Sequence, residues 1–294
     1  MFHPTMLRPE RASTYFVQDR FNEEELTRLQ IQDREITRTT CRGVLEQLAV
    51  DPTAVQGMLD VGCGTGGWLL EMAKMYPGIS SLVGIDINTR VLEYAQAQAE
   101  AQQISQRVRF QVMDALRVLD FPAQSFDLVH QRFGNSYLRR WDWPQLLSEY
   151  WRVSQPGGAI LIHEGSMPLE SNSPALTRLF CLAFEAFSQA GHIQIFLPSQ
   201  RDTVNTLAHL LEHKGFQRVQ THISTLEYRS GTLETRFLAE DMRRLFRTIL
   251  PFLQKWISVP DDYQAIYQQM LHEVREPDFA AQGAMLSLWG YKPA

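Results

Sequence analysis

The sequence predicts an α/β fold, a mostly parallel β-sheet with helices on both faces. Two observations predict it. Short apolar runs at 55–61, 81–86, 107–112, 125–130 and 158–163 alternate with helical stretches at about 67–76, 88–103 and 144–153, and such alternation is the mark of βαβ units. The first run, Met58-Leu59-Asp60-Val61, ends in glycines at 62, 64, 66 and 67 before the helix-prone segment Trp68–Tyr76. A strand feeding a glycine turn at a helix start lets a ligand approach bare backbone whose free N–H groups point outward.

The elements follow in order. Residues 22–50 read as helical, with Leu26, Leu29, Ile36, Val44, Leu45 and Leu48 at helix-like intervals, and Asp51-Pro52 ends the region. Asn88 caps the alanine- and glutamine-rich helix after the second strand. Pro156-Gly157-Gly158 makes a tight turn into the fifth strand, Ala159 to His163. The regular pattern then breaks. An insertion over 165–199 holds a helix from Pro174 to Ala190, and a further helix over 200–214 stops at Gly215. A strand at about 216–225 comes next. A second, helical insertion over 229–280 is kinked or divided by Pro251, and Ala284–Tyr291 is the last strand.

Composition narrows the function. A formal net charge of −5 argues against a dedicated nucleic-acid binder, which carries a basic excess. Cys41, Cys63 and Cys181 lie far apart without any C-x-x-C pair, so neither a disulfide framework nor a zinc site is expected, which suits a reducing cytoplasm. The first eleven residues lack an apolar core of signal-peptide length, and no run approaches the roughly 20 apolar residues of a membrane helix. A cytoplasmic protein without membrane partners is expected.

Ligands of open α/β sheets sit beyond the carboxyl ends of the strands, at the switch point. Gly62, Gly64 and Gly67 fit the G-x-G-x-x-G dinucleotide fingerprint as well, so the glycines alone leave the ligand open. After the second strand, Val83-Gly84-Ile85-Asp86 brings a carboxylate at the spacing that suits the two hydroxyls of an adenosine ribose. Val112-Met113-Asp114-Ala115 adds another after the third. The series Leu59-Asp60-Val61-Gly62-Cys63-Gly64-Thr65-Gly66, Gly84-Ile85-Asp86, Asp114-Ala115, Phe126-Asp127-Leu128-Val129 and Arg152-Val153-Ser154-Gln155-Pro156-Gly157-Gly158 resembles the class I S-adenosylmethionine-dependent methyltransferases, in particular their ubiquinone-biosynthesis-like, small-molecule branch. The resemblance covers residues 55–165 and, by position only, the final strand.

The resemblance implies a Rossmann-like seven-stranded sheet, S-adenosyl-L-methionine as cofactor and S-adenosyl-L-homocysteine as product. It implies that Asp60 and the turn of Gly62, Gly64 and Gly66 hold the amino-acid end of the cofactor. Asp86 would take the ribose hydroxyls, Ile87 pack on the adenine, and Asp114 with the Ala115 N–H meet the adenine edge. His130 would stand at the methionine and sulfonium end, and Tyr15 near the sulfonium. The expected organisation is an N-terminal helical lid segment (1–50) and a cofactor-binding core (51–165). A helical insertion with a core helix (166–214) follows, then the C-terminal part of the sheet (215–294) carrying the insertion at 229–280.

Methyl transfer is an in-line displacement for which the cofactor carries the activation, so the protein supplies alignment and a dry pocket. A general base is needed where the acceptor is protonated. His163 and His130, at strand ends, are the candidates, with Glu164 beside them. Phe180, Phe184 and Phe187 form one aromatic helix stripe. Leu238, Met242, Leu245, Ile249, Leu253 and Trp256 form a second. Core packing, a lid or pocket wall, and a homodimer surface all fit such stripes, whereas Arg236, Arg243, Arg244 and Arg247 read as a solvated face. The expected function is methyl transfer to an oxygen or nitrogen of a small, aromatic or apolar molecule. The alternatives are a protein methyltransferase and a cofactor-binding relative that transfers nothing. The loop after the fourth strand reads His130-Gln131-Arg132-Phe133, not the Asn/Asp-Pro-Pro-Tyr/Phe of amino-methylating nucleic-acid enzymes. No paired acidic motif for a metal is present either, so activity is expected to survive exhaustive chelation. Loss of turnover that magnesium restores would overturn metal independence.

Overall fold

The computed structural model describes residues 14–294 apart from 18, 20, 42, 166–168 and 193–199, so parts of the N-terminal segment and of the first insertion lie outside the described residues. Two helices open the chain, α1 (Glu23–Thr40) and α2 (Val44–Gln47). The single helical region expected over 22–50 is broken at Gly43, whose φ of 63° no helix accepts. Asn22 caps α1 by accepting from the Glu25 N–H, and Glu23, Glu24 and Glu25 suit the positive end of the helix dipole.

The alternating region follows as β1 (Gly57–Val61), α3 (Gly67–Met75), β2 (Ser81–Asp86), α4 (Thr89–Ala101), β3 (Val108–Val112), β4 (Phe126–Arg132), α5 (Trp143–Val153) and β5 (Ser154–Gly165). Asn88 caps α4 as expected, accepting from the Arg90 N–H at 3.0 Å. Pro156-Gly157-Gly158 lies inside β5 and does not precede it. The register to β4 shifts there, and Gly157 and Gly158 exchange backbone hydrogen bonds with Lys292, so the segment is a bulge in a paired strand. The remaining elements are β6 (Glu170–Ser171), α6 (Pro174–Gln189), α7 (Gln200–Lys214), β7 (Gln217–Arg229), α8 (Leu233–Thr248), α9 (Leu250–Trp256), α10 (Tyr263–Glu273) and β8 (Ala280–Tyr291). Pro251 sits in the first turn of α9, where its missing N–H costs nothing, and so divides the helical insertion as the sequence predicts.

Seven strands pair in the order β3-β2-β1-β4-β5-β8-β7, with β8 antiparallel to both neighbours and β1 to β5 parallel. The sheet has eight strands where seven were expected, because the two-residue β6 adds itself to the start of β8 at Glu170↔Gln282 and Ser171↔Ala281. The strand order reverses between β1 and β4. Asp127 ties these two together by accepting from the N–H groups of Gln56 and Gly57, both at 2.8 Å.

Alternation along the strands sorts the core into two layers. Met58, Leu82, Leu128 and Leu161 pack with Trp68, Leu69 and Met72 of α3. Their neighbours Leu59, Val83, Val129 and Ile160 pack on the other face with Trp143, Leu146 and Leu147 of α5 and Leu207 and Leu211 of α7. A third, separate cluster unites α6, α8, α9 and α10 with Phe16 and Val17 of the N-terminal segment. Most of the two predicted stripes belongs to it: Phe180, Phe187, Leu238, Met242, Leu245, Ile249 and Leu253 are buried there, with Trp256 packed against them. Arg247 stays exposed as expected, and Arg243 and Arg247 reach Glu24 at 4.0 and 3.2 Å, linking α8 to α1. No described helix is long and apolar enough to cross a membrane.

Gly66 is the glycine this packing needs most. Its φ is 77°, and a Cβ there would stand 2.7 Å from the Phe110 ring and 2.9 Å from the Ala95 methyl. Gly66→Ala is expected to cost roughly 1–3 kcal/mol, read as a lower urea midpoint. An unchanged midpoint would show that α3 can shift without loss.

Candidate active site

Beyond the carboxyl ends of β1, β2 and β4 lies a cavity of about 840 Å³. One side is the glycine turn. Gly62 and Gly64 have φ of 67° and 53°, and a Cβ at Gly64 would meet nothing within 4 Å, so that stretch of backbone is open. Asp86, at the end of β2, accepts from the Gly64 N–H at 3.0 Å and the Asn88 N–H at 2.8 Å. Both bonds fix the carboxylate and leave it acceptor capacity, while burial pushes its pKa up. Ile87, Asp114 and Ala115 continue the same wall. Asp114 is partly committed, accepting from the Leu116 N–H at 2.9 Å and pairing with Arg117 at 3.2 Å.

The opposite side is apolar and comes from the N-terminal segment and the insertions. Phe16, Phe180, Phe187, Leu238, Met242 and Ile249 are among its lining residues. Tyr15 lines the cavity on this side, 4.5 Å from the Phe16 ring, and its hydroxyl is engaged. It donates to Glu25 at 2.5 Å and accepts from Arg28 at 2.9 Å. Arg28 in turn pairs with Glu25 at 2.8 Å and Asp241 at 3.1 Å, a buried knot joining the N-terminal segment, α1 and α8.

Four predicted residues are not on the cavity. Gly66 faces Phe110 and Ala95. Asp60 is 2% exposed and its Oδ1 lies 2.8 Å from His130 Nδ1. The His130 imidazole stacks on the Trp68 indole at 3.6 Å. His163 meets the His130 ring edge-on at 5.3 Å and bonds Ser287 Oγ at 2.9 Å. The strand parity that puts Met58, Leu128 and Leu161 under α3 puts these three polar residues there too, in a layer without access to the cavity. Burial pushes the Asp60 carboxyl up to about 8 and both imidazoles down, disfavouring the charged form of each. Neither histidine expected as a base is among the residues lining the cavity.

The structure brings forward residues that sequence reasoning missed. Asp33 of α1 accepts from the Gly67 N–H at 2.8 Å and from the Thr65 hydroxyl at 2.5 Å, and pairs with Arg132 at 2.5 Å. It thereby occupies the helix N-terminus where the diphosphate of a dinucleotide would sit. After β4, the 3-10 turn Gly134–Ser136 carries Asn135 and leads to Tyr137. The side-chain amide of Asn135 and the Tyr137 hydroxyl are buried without partners among the described residues, and both residues line the cavity. A Cβ on Gly62 would stand 2.8 Å from the Tyr137 oxygen, which places that hydroxyl over the glycine turn. Glu164 accepts from the Asn135 N–H at 3.3 Å, and burial pushes its carboxyl up to about 8. His192 contributes its ring from beyond α6, donating from Nδ1 to the Asn135 carbonyl at 2.9 Å. Asp33 and His192 sit in no motif, so only the fold reveals them. Among the described residues no group of three or more His, Cys, Asp or Glu converges as a metal site.

A model of the methyltransferase domain family matches residues 58–158. A demethylmenaquinone methyltransferase of Deinococcus radiodurans is 38% identical over 135 residues, 46% of this chain and 52% of the relative, so the match spans about half of that protein. A ubiquinone/menaquinone biosynthesis C-methyltransferase of Geotalea daltonii is 30% identical over 181 residues, 58% of this chain and 74% of the relative. Among solved structures, a Haemonchus contortus phosphoethanolamine N-methyltransferase 2 overlays with a TM-score of 0.57 at 19% identity, covering 95% of this chain and 61% of that one. A Bacillus halodurans methyltransferase structure overlays at 0.51 and 21% identity, covering 85% and 97%. These two carry the fold. The chain belongs to the class I S-adenosylmethionine-dependent methyltransferases. Its curated relatives stand in the ubiquinone and menaquinone branch.

Glu164 gives the site a pH signature. Its folded pKa of about 8 exceeds that of an unfolded glutamate, ~4.3, so between these values the folded state holds the extra proton and stability falls as pH rises. Glu164→Gln is expected to lose less stability than wild type between pH 5 and 8.5 in urea titrations. Parallel losses in the two proteins would count against a buried, proton-holding Glu164.

Proposed function

We propose that the protein binds S-adenosylmethionine along the glycine turn and transfers its methyl group to a small organic molecule held in the apolar half of the cavity. The observation that carries this reading is the joining of two unlike halves in one space. Open backbone and a fixed carboxylate line one half, and aromatic and aliphatic side chains the other. When bound, the cofactor supplies a methyl group already activated by its sulfonium.

The chain's own residues supply the rest. Asp86 receives the ribose hydroxyls, Ile87 packs on the adenine, and Asp114 with the Ala115 N–H meets the adenine edge. The glycine turn, which a ligand can approach closely, and the Arg132 guanidinium, which reaches the cavity beside Asp33, hold the amino-acid end. Asp60 supports this end from beneath through its position at the close of β1. Tyr137 stands over the turn and orders the junction between the halves. The apolar wall built by α6 and α8 excludes water, which strengthens every charge interaction inside. The N-terminal segment and the two insertions act together as the lid. A cavity of this size suits a drug-sized or smaller acceptor. The Geotalea relative is by name a C-methyltransferase, which adds carbon to the oxygen or nitrogen that the sequence suggests as acceptor atom.

Calorimetric titration with S-adenosylmethionine, S-adenosylhomocysteine and NADH tests the reading on wild type and Asp86→Ala. Both sulfur compounds should bind wild type and NADH should not. Losing hydrogen bonds to a charged group, each about 1.5–3 kcal/mol, should weaken binding to the variant by tenfold or more. Binding of NADH alone would overturn the cofactor assignment.

A further inference from the structure

The insertion after α6 brings one histidine back to the cavity. His192 follows Gly191, and a bridge to Arg139 with the Arg140 N–H bonded to the Gly191 carbonyl at 3.0 Å pins it against the loop that leaves β4. It is 4% exposed and lines the cavity. Its ring meets Phe187 edge-on at 5.2 Å and Phe252 at 6.1 Å, so it stands in the apolar wall.

Its orientation is set by the Nδ1 hydrogen bond to the Asn135 carbonyl. A carbonyl accepts only, so Nδ1 carries the hydrogen and Nε2 of the neutral ring is left as the acceptor. Asn135 also donates its N–H to Glu164 and begins the turn that places Tyr137 over Gly62. One residue thus links the imidazole, the carboxyl and the hydroxyl to the glycine turn. The other buried histidines differ in this respect. His130 spends Nδ1 on Asp60, His163 on Ser287, and both lie under α3.

We propose that His192 is the general base of this site, and that its acceptor is a hydroxyl-bearing molecule whose apolar body lies against Phe187 and Ile249 of the cavity wall. This rests on the methyl-transfer reading above. The acceptor's O–H proton passes to Nε2, the oxygen's electron pair forms the bond to the methyl carbon, and the carbon–sulfur pair returns to sulfur. The positive charge that leaves the sulfonium reappears on the imidazolium, so the cavity creates no net charge. The Tyr137 hydroxyl, buried without a partner among the described residues, offers the acceptor's polar end a further hydrogen bond. Burial, against the pull of the Asn135 carbonyl, and with Arg139 adding to it and the Leu138 carbonyl opposing it, lowers the His192 pKa to about 4, so the ring is neutral at physiological pH and its protonation depends on the simultaneous loss of the sulfonium charge.

Nitrogen NMR of histidine-labelled protein tests the tautomer without any acceptor, with the His192 signals assigned by their loss in His192→Gln. A neutral ring protonated on Nδ1 from pH 5 to 8 is expected. A hydrogen on Nε2, or an imidazolium at pH 7, would sink the proposal. S-adenosylhomocysteine formation then tests the base with two probes, 2-naphthol, neutral at pH 7, and 2,4-dinitro-1-naphthol, already ionised. His192→Gln should slow 2-naphthol by about 10²–10⁴-fold, with KM for S-adenosylmethionine unchanged, and scarcely affect the ionised probe. Equal slowing of both would mean a structural role. A wild type that binds S-adenosylmethionine but methylates neither probe would refute the hydroxyl acceptor, whereas failure to bind it would refute the methyltransferase reading itself.

Discussion

The carboxylate of Asp33 is the contact on which the site's shape depends. It is carried by the N-terminal helix, yet its acceptors are spent on the N–H of Gly67, the hydroxyl of Thr65 and the guanidinium of Arg132. One side chain therefore joins α1 to the start of α3 and to the end of β4. A helix N-terminus next to a glycine turn is a strong anion site, and here the protein fills it with its own anion. The Gly64 N–H is bonded to Asp86, and the place of a diphosphate is taken. The same sequence motif thus serves a ligand without phosphates. The clamp also holds α1 down, and through Arg28, Glu25 and Asp241 it holds α8 as well, so the cavity's roof inherits its position from the turn beneath it.

Layering decides what each buried polar group can do. His130 contacts both Asp60 and His163. Strand parity places all three beneath α3, with His130 stacked on Trp68, away from the residues that line the cavity. His192 has the same chemistry and similar burial, but its element is an insertion that folds back over the strand ends. Residue type fixes the available chemistry, and the side of the sheet fixes whether it is used.

Most of the sheet and the cofactor wall were legible because they depend on local signals. Glycines at positive φ, a carboxylate at the end of β2, apolar runs of strand length and the Asn88 cap each carry their own physical reason within a few residues. What was not legible depends on long-range placement. Asp33 is one acid in a charged amphipathic helix, and nothing near it points to Gly67. Pro156-Gly157-Gly158 has turn chemistry, yet its backbone bonds go to Lys292 at the other end of the chain, which makes it a bulge. The two-residue β6 is too short for any pattern and exists because β8 offers it an edge. His130 and His163 lie off the cavity lining for a related reason: a strand end is a good guide to a site, but the face of the strand is set by partners that periodicity alone does not name.

The two halves of the cavity are held by different kinds of structure. The glycine-turn half rests on the sheet and its two packed layers, where a change of one methyl at Gly66 meets Phe110. The apolar half belongs to the cluster of α6, α8, α9 and α10, which meets the sheet through Tyr228 of β7 and Ala281 of β8 and is tied to α1 through Arg28. Close-packed sheet cores resist substitution, whereas most of the apolar half is carried by helices outside the two sheet layers. A group such as His192, carried by an insertion yet aimed by a carbonyl of the core loop, is placed where the two must agree.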